Sequence, residues 1–267
     1  MVWFDAPCIM GIVNATPDSF YAQSRVATRE AIMHRVAEML EQGVDIIDVG
    51  ACSTRPGSDS VGADEELRRL EMALAAVREV SGDVPVSVDT FRADVARRVV
   101  CEMEADIIND IGEGDLDADM FGTIADLQVP YVLMHTRGTP AEMQNLAKYD
   151  NVTVEVTARL SAKLALLEEL GVNDVIVDPG FGFAKTLAQN YELLRNIPHI
   201  INVLRKPLLV GLSRKSMLTR LLGIEADNAL NATTVANTIA LMNGASVLRV
   251  HDVRAACEVR KIVSQVV

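Results

Sequence analysis

Residues 174–183, DVIVDPGFGF, contain the pattern that decides the fold: a short apolar run that ends in an acid and a glycine-rich turn. The run is rich in β-branched residues and does not alternate between apolar and polar positions, which is typical of a parallel strand buried on both faces. Asp178 stands where the strand ends, and Pro179-Gly180 marks the exit from it. The stretch therefore predicts a buried parallel strand that presents a carboxylate at its carboxyl end.

The same pattern recurs along the whole chain. Eight apolar runs can be recognised, at Cys8–Val13, Val44–Val49, Val84–Val88, Asp106–Ile108, Pro130–Met134, Asp174–Val177, Pro207–Gly211 and Ser246–Val250. The segments between them carry the helical spacing of apolar residues. Eight strand–helix repeats predict a single α/β domain over residues 1–267, folded as a closed (β/α)8 TIM barrel. The alternative is an open, doubly wound parallel sheet, which the repeats alone do not exclude.

Several helix boundaries are marked in the sequence. We expect Thr28 to cap the first helix, and the acids at 64–66 to open the second near the positive end of its dipole. A longer helix is expected from Val152 to Leu170, with Gly171 beyond its end. The Ala229–Met242 helix mixes polar residues into an apolar pattern. It is interpreted either as a contact face for a second subunit or as packing on the barrel.

The composition excludes some classes of protein. With 267 residues, 49% hydrophobic and 23% charged, and a net charge of −12, the chain is an acidic globular protein. Such a charge argues against broad binding of nucleic acid or of anionic membranes. The four cysteines form no C-x-x-C pair, which argues against a zinc site and fits reduced thiols. Residues 1–10 lack a basic stretch and no apolar run is long enough for a membrane span, so we expect a cytoplasmic protein.

Each predicted strand is followed by an unusual polar group. In a barrel of this kind the carboxyl ends of all strands meet on one rim, where active sites form. In chain order the groups lie at residues 14–20 (NATPDSF), 48 with 53–57 (STRPG), 89–90 (DT), 109–110 (ND), 135 with 137–140 (RGTP), 178–183 (DPGFGF), 213–216 (SRKS) and 249–252 (RVHD). Taken singly, each can be explained as a helix cap, a turn or an ion pair. Their shared position on one rim indicates an active site instead.

The residue types divide this rim into two regions. Asp89, Asn109 and Asp178 offer carboxylate and amide groups, which suit the polar edge of a flat heterocycle rich in N–H donors and ring nitrogens. Phosphate sites of this fold commonly lie over strands seven and eight. Positive charge is expected there from Lys215, Arg249 and His251. The sequence therefore predicts a nitrogen heterocycle that carries an anionic leaving group such as diphosphate.

In the order and content of these motifs the chain resembles the dihydropteroate synthase family. Residues 14–20 are similar to the family's N-x-T-P-D-S-F signature, and residues 53–57 to the S-T-R-P-G end of its second signature. Further matches lie at residues 87–90, 108–110, 178–183, 211–216 and 248–252. The resemblance covers nearly the whole chain. It implies an enzyme that joins 6-hydroxymethyl-7,8-dihydropterin diphosphate to p-aminobenzoate in folate biosynthesis and releases diphosphate.

The resemblance also implies roles for individual residues. The pterin diphosphate would be bound by Thr54, Asp89, Asn109, Asp178, Lys215, Arg249, Val250 and His251. p-Aminobenzoate would be bound by Thr54, Arg55, Pro56, Phe183 and Ser213. Catalysis would depend on Asp89, Lys215, Arg249 and His251, and Asn14 would help to hold Mg²⁺, the implied cofactor, against the diphosphate. The partners would be these two small molecules and a second copy of the chain, because family members are commonly homodimers joined through late helices.

The chain departs from the family pattern in its first two loops. After Phe20 the family usually continues S-D-G-G, but residues 21–24 here are YAQS, so that Ala22 replaces an acid. Ala51 and Cys52 stand where the second signature has glycine and glutamate. The residues expected to bind the pterin are all retained. The changes therefore bear on loop closure over the amine site and on sensitivity to sulfonamides, and they leave the substrate class unchanged.

Two other functions are weighed against a synthase. A pterin-dependent methyltransferase domain would share the barrel and the carboxylates, but it has no use for Lys215 and Arg249 beside a diphosphate. A non-catalytic paralogue would keep the pterin pocket and lose activity through its altered loops. An assay for product, for binding and for methyl transfer separates the three.

Overall fold

The computed structural model describes residues 6–15, 25–52, 61–139 and 141–267, and in the first helix it describes side chains from residue 29 onward. Its strands are β1 (Cys8–Asn14), β2 (Ile46–Gly50), β3 (Val86–Asp89), β4 (Ile107–Asp110), β5 (Tyr131–Met134), β6 (Val175–Asp178), β7 (Leu209–Val210) and β8 (Val247–Val250). Every apolar run that the sequence marks as a strand is one, with ends displaced by no more than two residues.

The strands form one parallel sheet that closes on itself. They pair in the order β6-β5-β4-β3-β2-β1-β8-β7, and each pairing between them is parallel. Val177 on β6 forms a further parallel bridge with Leu208, immediately before β7. This bridge joins the two ends of the sheet. The predicted (β/α)8 barrel is therefore confirmed, and the open doubly wound sheet is excluded.

Helices lie between the strands and cover the outer face of the barrel. They are α1 (Arg25–Gln42), α2 (Ala63–Ser81), α3 (Ala93–Met103), α4 (Met120–Leu127), α5 (Val152–Glu169), α6 (Leu187–Arg195), α7 (Ile197–Leu204), α8 (Ser216–Leu222), α9 (Leu230–Met242) and α10 (Val253–Val263). None of the helices within the described ranges is long and apolar enough to cross a membrane.

The barrel carries an inner and an outer apolar layer. Alternate side chains along each strand point into the barrel or out toward the helices. The inner layer is a small cluster formed by Met10, Ile46, Ile107, Val132, Ile176, Leu209 and Val247. The outer layer is much larger and fills the space between strands and helices. Most inward positions closer to the carboxyl ends of the strands are polar, so the inner cluster is the floor of a largely polar mouth.

Most of the predicted helix boundaries are confirmed. α2 begins at Ala63, directly before its three acids, and its inward face buries Leu67, Leu70, Leu74 and Val77. α5 begins at Val152 and ends one residue before the predicted end. The predicted cap at Thr28 is wrong, because α1 already begins at Arg25 and Thr28 lies inside it. Apolar spacing locates the face of a helix but does not fix its first turn.

α9 packs on the barrel and also carries an exposed apolar face. Its side toward the barrel buries Thr233, Ala236, Asn237, Ala240 and Leu241. Val235, Ile239 and Met242 lie on the other side, with 53%, 41% and 48% of their surface exposed. Because these three positions are four and three residues apart, they form one outward stripe. The helix thus packs on the barrel through small and polar residues and also presents an apolar stripe to its surroundings.

Candidate active site

Three polar side chains share one register row at the ends of the first four strands. Asn14 pairs across the sheet with Gly50, Gly50 with Asp89, and Asp89 with Asn109. Residues in one row of a parallel sheet point to the same face. Gly50 contributes no side chain, and a Cβ there would lie 3.5 Å from the Cβ of Asp89. The row therefore brings Asn14, Asp89 and Asn109 together in the barrel mouth, as predicted.

Arg249 lies between two carboxylates at the centre of the mouth. From β8 its Nε donates to Asp48 at 2.7 Å, and its Nη2 lies 2.6 Å from the same carboxylate. Nη2 also donates to Asp89 at 2.9 Å. Charge-assisted hydrogen bonds of this kind are roughly twice as strong as neutral ones. The guanidinium is thus held in place before any ligand binds.

Asp48 is a site residue that the sequence reasoning left out of the binding set. It has no exposed surface, and the side-chain amide of Asn109 lies 3.3 Å from it. The signal was available, because an acid inside a continuous apolar strand is costly unless a cation or several donors pair with it. The identity of the partner could not be predicted from the sequence, because Arg249 is 201 residues away from Asp48 along the chain.

Protonation in the mouth is governed by burial and by these neighbours. Burial raises the pKa of Asp89 to about 7; Arg249 opposes the rise, and Asp48 adds to it. Burial opposes the charge of Arg249, but Asp48 and Asp89 outweigh it and raise the pKa of the guanidinium. Near pH 7 Arg249 is therefore a cation, whereas Asp89 binds a proton more readily than an ordinary carboxylate does.

Asp178 and Lys215 form the opposite side of the mouth. The Oδ1 of Asp178 accepts from the backbone N–H of Gly180 at 2.7 Å. Burial raises the pKa of Asp178, and Lys215 lowers it. Burial lowers the pKa of Lys215 to about 8, and Asp178 opposes that change. The Lys215 ammonium donates to the carbonyl of Phe181 and lies 4.9 Å from the centre of the Phe183 ring. It therefore stands between the rim and the loop that follows β6.

His251 corrects an expectation about charge. It was expected to supply positive charge, but burial and the nearby Arg249 lower the pKa of its imidazole to about 4. The ring is therefore neutral near pH 7 in the free site. Its position is fixed through the backbone, because its N–H donates to the hydroxyl of Ser213 at 3.2 Å and its carbonyl accepts from Arg35. His251 remains placed on the rim as a hydrogen-bonding group.

A second brace joins the exits of β7 and β8. Arg214 donates to both carboxylate oxygens of Asp252, through Nε at 2.9 Å and Nη2 at 2.8 Å. Its backbone N–H donates to the hydroxyl of Thr233 on α9 at 3.0 Å. Arg214 has a φ of 56°, a left-handed conformation that is unusual for a residue with a side chain. The SRKS and RVHD motifs are thus held against each other, which sequence reasoning did not predict.

Not every predicted residue is placed in the mouth. The side chain of Val250 is fully buried in the outer apolar layer, because it occupies an outward position of β8. The side chain of Val250 therefore cannot bind the substrate as predicted. A contact with the substrate could come from its backbone alone. Thr54, Arg55 and Pro56 lie outside the described residues, as does the altered position Ala22.

The mouth combines three carboxylates and two cations with two side-chain amides and a neutral imidazole. Carboxylates and an amide can hold the donor-rich edge of a heterocycle, and the two cations can hold an anion. Among the described residues, no group of three or more His, Cys, Asp or Glu side chains is arranged to hold a metal ion. The geometry therefore suits a ligand that is a heterocycle at one end and an anion at the other.

Comparison with known proteins agrees with this arrangement. Residues 10–251 match the family model described as pterin binding enzyme. The chain is 38% identical over 263 residues to a dihydropteroate synthase of Synechocystis sp., which covers 97% of this chain and 90% of that protein. It is similar to the dihydropteroate synthase of Yersinia pestis in complex with a sulfonamide drug (TM-score 0.91, 34% identity, 99% of this chain and 95% of that chain). It is also similar to that of Xanthomonas albilineans in complex with 7,8-dihydropteroate (TM-score 0.87, 34% identity, 100% and 96%). The chain belongs to the dihydropteroate synthase family of pterin-binding enzymes.

Proposed function

We propose that this chain joins 6-hydroxymethyl-7,8-dihydropterin diphosphate to p-aminobenzoate, giving 7,8-dihydropteroate and diphosphate. The observation that carries the proposal is the pairing of Arg249 with Asp48 and Asp89, beside Lys215 and Asp178, in one barrel mouth. The Xanthomonas albilineans relative binds the expected product, 7,8-dihydropteroate. A methyltransferase would need the carboxylates but not the two cations next to them.

The pterin ring is assigned to the side of the mouth formed by Asp89, Asn109 and Asp178. A pterin presents N–H donors and ring nitrogens along its edge, which pair with carboxylate oxygens and with a side-chain amide. Asp178 is already oriented by the N–H of Gly180 and so keeps one oxygen for the ligand. Because the pKa of Asp89 is raised, its carboxyl group can take up a proton and then donate to the ring as well as accept from it.

The diphosphate is assigned to Lys215, Arg249 and His251. Lys215 supplies a point charge, and Arg249 supplies planar donors that match phosphate oxygens. His251 contributes a hydrogen bond, and a bound anion would raise the pKa of its imidazole. These groups stabilise the leaving anion more strongly as its charge grows during the reaction, which lowers the barrier.

The chemical step is a displacement at the exocyclic methylene of the pterin. The C–O bond to diphosphate breaks, and the lone pair of the p-aminobenzoate nitrogen forms the new C–N bond. The nitrogen then loses a proton to diphosphate or to water. Pterin electrons can stabilise positive charge at the methylene, so bond breaking can run ahead of bond formation. A strong general base is not needed, because the aromatic amine is nucleophilic when neutral, and catalysis depends on position and electrostatics.

Mg²⁺ is proposed as the cofactor, with Asn14 as its protein ligand. Asn14 ends β1 in the same register row as Asp89, so its side-chain amide is on the face of the mouth. Mg²⁺ usually takes one or two protein oxygens and completes its shell with phosphate oxygens and water. A single amide oxygen beside a diphosphate site fits that coordination preference. When bound, the ion would neutralise part of the charge on the leaving group.

The amine site is proposed to lie between Phe183 and Ser213, closed by Thr54, Arg55 and Pro56. The Phe183 ring beside the Lys215 ammonium offers a flat apolar surface for the aromatic ring of p-aminobenzoate. A sulfonamide drug is bound by the Yersinia pestis relative. We propose that the same class of inhibitor competes with p-aminobenzoate here.

Incubation of the purified protein with the pterin diphosphate, labelled p-aminobenzoate and Mg²⁺ tests the proposal. Labelled dihydropteroate is the expected product, and a sulfonamide should reduce its formation. Binding of the pterin without product would identify a non-catalytic paralogue. Methyl transfer from methyltetrahydrofolate would identify a methyltransferase. Either of those results would replace the synthase assignment.

We also propose a homodimer in the cytoplasm. Val235, Ile239 and Met242 form an outward apolar stripe on α9, which a second copy of the chain could cover. The brace from Arg214 to Thr233 connects α9 to the SRKS motif. The four free cysteines suit a reducing compartment.

A further inference from the structure

Lys185 is a buried lysine that the proposed chemistry does not use. It follows the β6 loop, defined here as residues 179–184, and only 3% of its surface is exposed. Its ammonium donates to the carbonyls of Gly180 at 3.0 Å and Phe183 at 2.9 Å, and it lies 3.0 Å from Nδ1 of His135. These contacts use all three donors of the ammonium. Lys185 is therefore fully engaged with the loop and with the residue that follows β5.

The β6 loop meets a second lysine from the mouth. Lys215 donates to the carbonyl of Phe181, and its side chain packs on Gly182, where an added Cβ would lie 3.3 Å from Lys215 Cδ. Lys185 lies beside Gly180, where an added Cβ would be 3.3 Å from its Nζ. Three carbonyls of a short loop are therefore held by two ammonium groups, one buried behind the loop and one in the site.

Other contacts complete the hold on this loop. The N–H of Gly180 donates to Asp178 at 2.7 Å, and the N–H of Gly182 donates to the side chain of Asn190 at 2.6 Å. The carbonyl of Gly182 accepts from Gln144 at 3.0 Å. Because the same loop carries an N–H for Asp178 and a carbonyl for Lys215, its shape sets the position of both groups.

Holding a lysine here is energetically costly. Burial lowers the pKa of Lys185 to about 7, although Asp178 opposes the change. Burial and the charge of Lys185 lower the pKa of His135, so its ring is neutral and, in the tautomer protonated on Nε2, Nδ1 can accept a hydrogen bond from the ammonium. A neutral apolar side chain would avoid the desolvation but would leave two loop carbonyls without donors. The desolvation of the ammonium is offset by its hydrogen bonds to the two carbonyls, which order the loop.

We propose that Lys185, supported by His135, is a positioning residue that fixes the β6 loop for Asp178, Phe183 and Lys215. This inference rests on the proposed synthase function for its kinetic consequences. Lys185 touches no reacting atom, and it acts through the carbonyls of Gly180 and Phe183. Its effect on the reaction is therefore indirect and reaches both the pterin side and the amine side of the mouth.

Three variants test the proposal. Lys185→Met removes the donors, Lys185→Arg keeps donors in a different shape, and Lys206→Met is the matched control. Lys206 also donates to a backbone carbonyl, that of Asn173 at 3.1 Å, but Asn173 precedes β6 and so lies at the opposite end of that strand from the β6 loop. For each protein we would measure the melting temperature, kcat, KM for p-aminobenzoate, and the calorimetric Kd for 7,8-dihydropteroate, at least 15 °C below the melting temperature.

Lys185→Met is expected to weaken dihydropteroate binding at least tenfold and to lower kcat/KM for p-aminobenzoate at least tenfold while folded. Lys185→Arg should recover part of both losses, and Lys206→Met should stay within twofold of the parent. A folded Lys185→Met protein that keeps both values within twofold overturns the proposal. If Lys185→Met does not fold, His135→Leu takes its place under the same criteria. A parent protein that binds dihydropteroate but makes none would reject the synthase function, and the binding data would still decide the role of Lys185.

Discussion

The pairing of Arg249 with Asp48 makes a sharp prediction about stability and turnover. In Arg249→Met, Asp48 would stay fully buried, and among the described side chains the amide of Asn109, at 3.3 and 3.4 Å, would be its remaining hydrogen-bond donor. Removing one partner of a buried ion pair costs about 3–5 kcal/mol. Because 21% of the Arg249 side chain is exposed, solvent screens part of the pair and we expect the lower end, about 3 kcal/mol. At about 2–4 °C per kcal/mol for chains of this size, the melting temperature should fall by roughly 6–12 °C.

Turnover should fall for a different reason. Loss of a charge-assisted contact to the leaving diphosphate costs about 1.5–3 kcal/mol, which corresponds to roughly 10- to 150-fold in kcat/KM. The double variant Asp48→Asn with Arg249→Met separates the two effects, because it removes the stranded carboxylate without restoring the cation. We expect it to recover at least half of the lost stability and none of the lost turnover.

Calorimetric unfolding and a product assay measure the two quantities side by side. Arg97→Met is the control, because Arg97 pairs with Asp126 on the surface and both side chains are largely exposed. Recovery of turnover in the double variant to more than about a third of the parent value, equivalent to roughly 0.6 kcal/mol, would refute the role of Arg249 in leaving-group stabilisation. An Arg249→Met protein with an unchanged melting temperature would refute the dependence of Asp48 on its partner.

Three further predictions concern pH, the β6 loop and assembly. The folded-state pKa of Asp89, about 7, lies above its ordinary value of 3.8, so between these pH values the folded protein binds more protons than the unfolded chain does. The free energy of unfolding should therefore fall as pH rises from about 4 to 7. Denaturant titrations should show a smaller dependence of this free energy on pH in Asp89→Asn. Gly180→Ala should cost about 3 kcal/mol or more, because φ is 70° and the new Cβ would sit 1.9 Å from a backbone carbonyl oxygen, whereas Gly171→Ala, with φ 80° and open space, should cost about 1 kcal/mol in thermal unfolding. Ile239→Glu should convert a dimer to a monomer in sedimentation. Val203→Glu should not, because Val203 is similarly exposed, 48% against 41% for Ile239, but lies on α7.

The sequence predicts the barrel well because its determinants are local. Each buried parallel strand is a continuous apolar run, and each run is closed by turn residues, so eight strands can be counted without tertiary information. The inward direction of Asn109 and Asp178 follows from the same pattern, because period-two alternation places them above Ile107 and Ile176 of the inner apolar cluster. Asp89 is inward because it pairs with Asn109 in the sheet.

Charge and pairing are less predictable, because they depend on residues distant in sequence. The neutral state of His251 follows from its burial beside Arg249, which is a tertiary fact. The burial of Lys185 behind the β6 loop is equally hidden, since a lysine after a glycine-rich turn has the same sequence signal when it is exposed. Sequence thus locates which residues reach the rim, and the fold decides how they are protonated and with what they pair.

The charge balance of the mouth leads to a final prediction about Mg²⁺. Among the described residues, Lys215 and Arg249 provide two positive charges, and Asp48, Asp89 and Asp178 provide up to three negative ones. When all three carboxylates are ionised, the site therefore holds no excess positive charge for a diphosphate, even though its donors are well placed. A divalent cation would offset this deficit, so Mg²⁺ should strengthen binding of the pterin diphosphate at least tenfold and leave binding of the uncharged 6-hydroxymethyl pterin within twofold. Calorimetry with and without a chelator measures both, and Asn14→Ala should reduce the Mg²⁺ effect. Equal strengthening of both ligands would show that the ion acts on the protein as a whole rather than on the diphosphate.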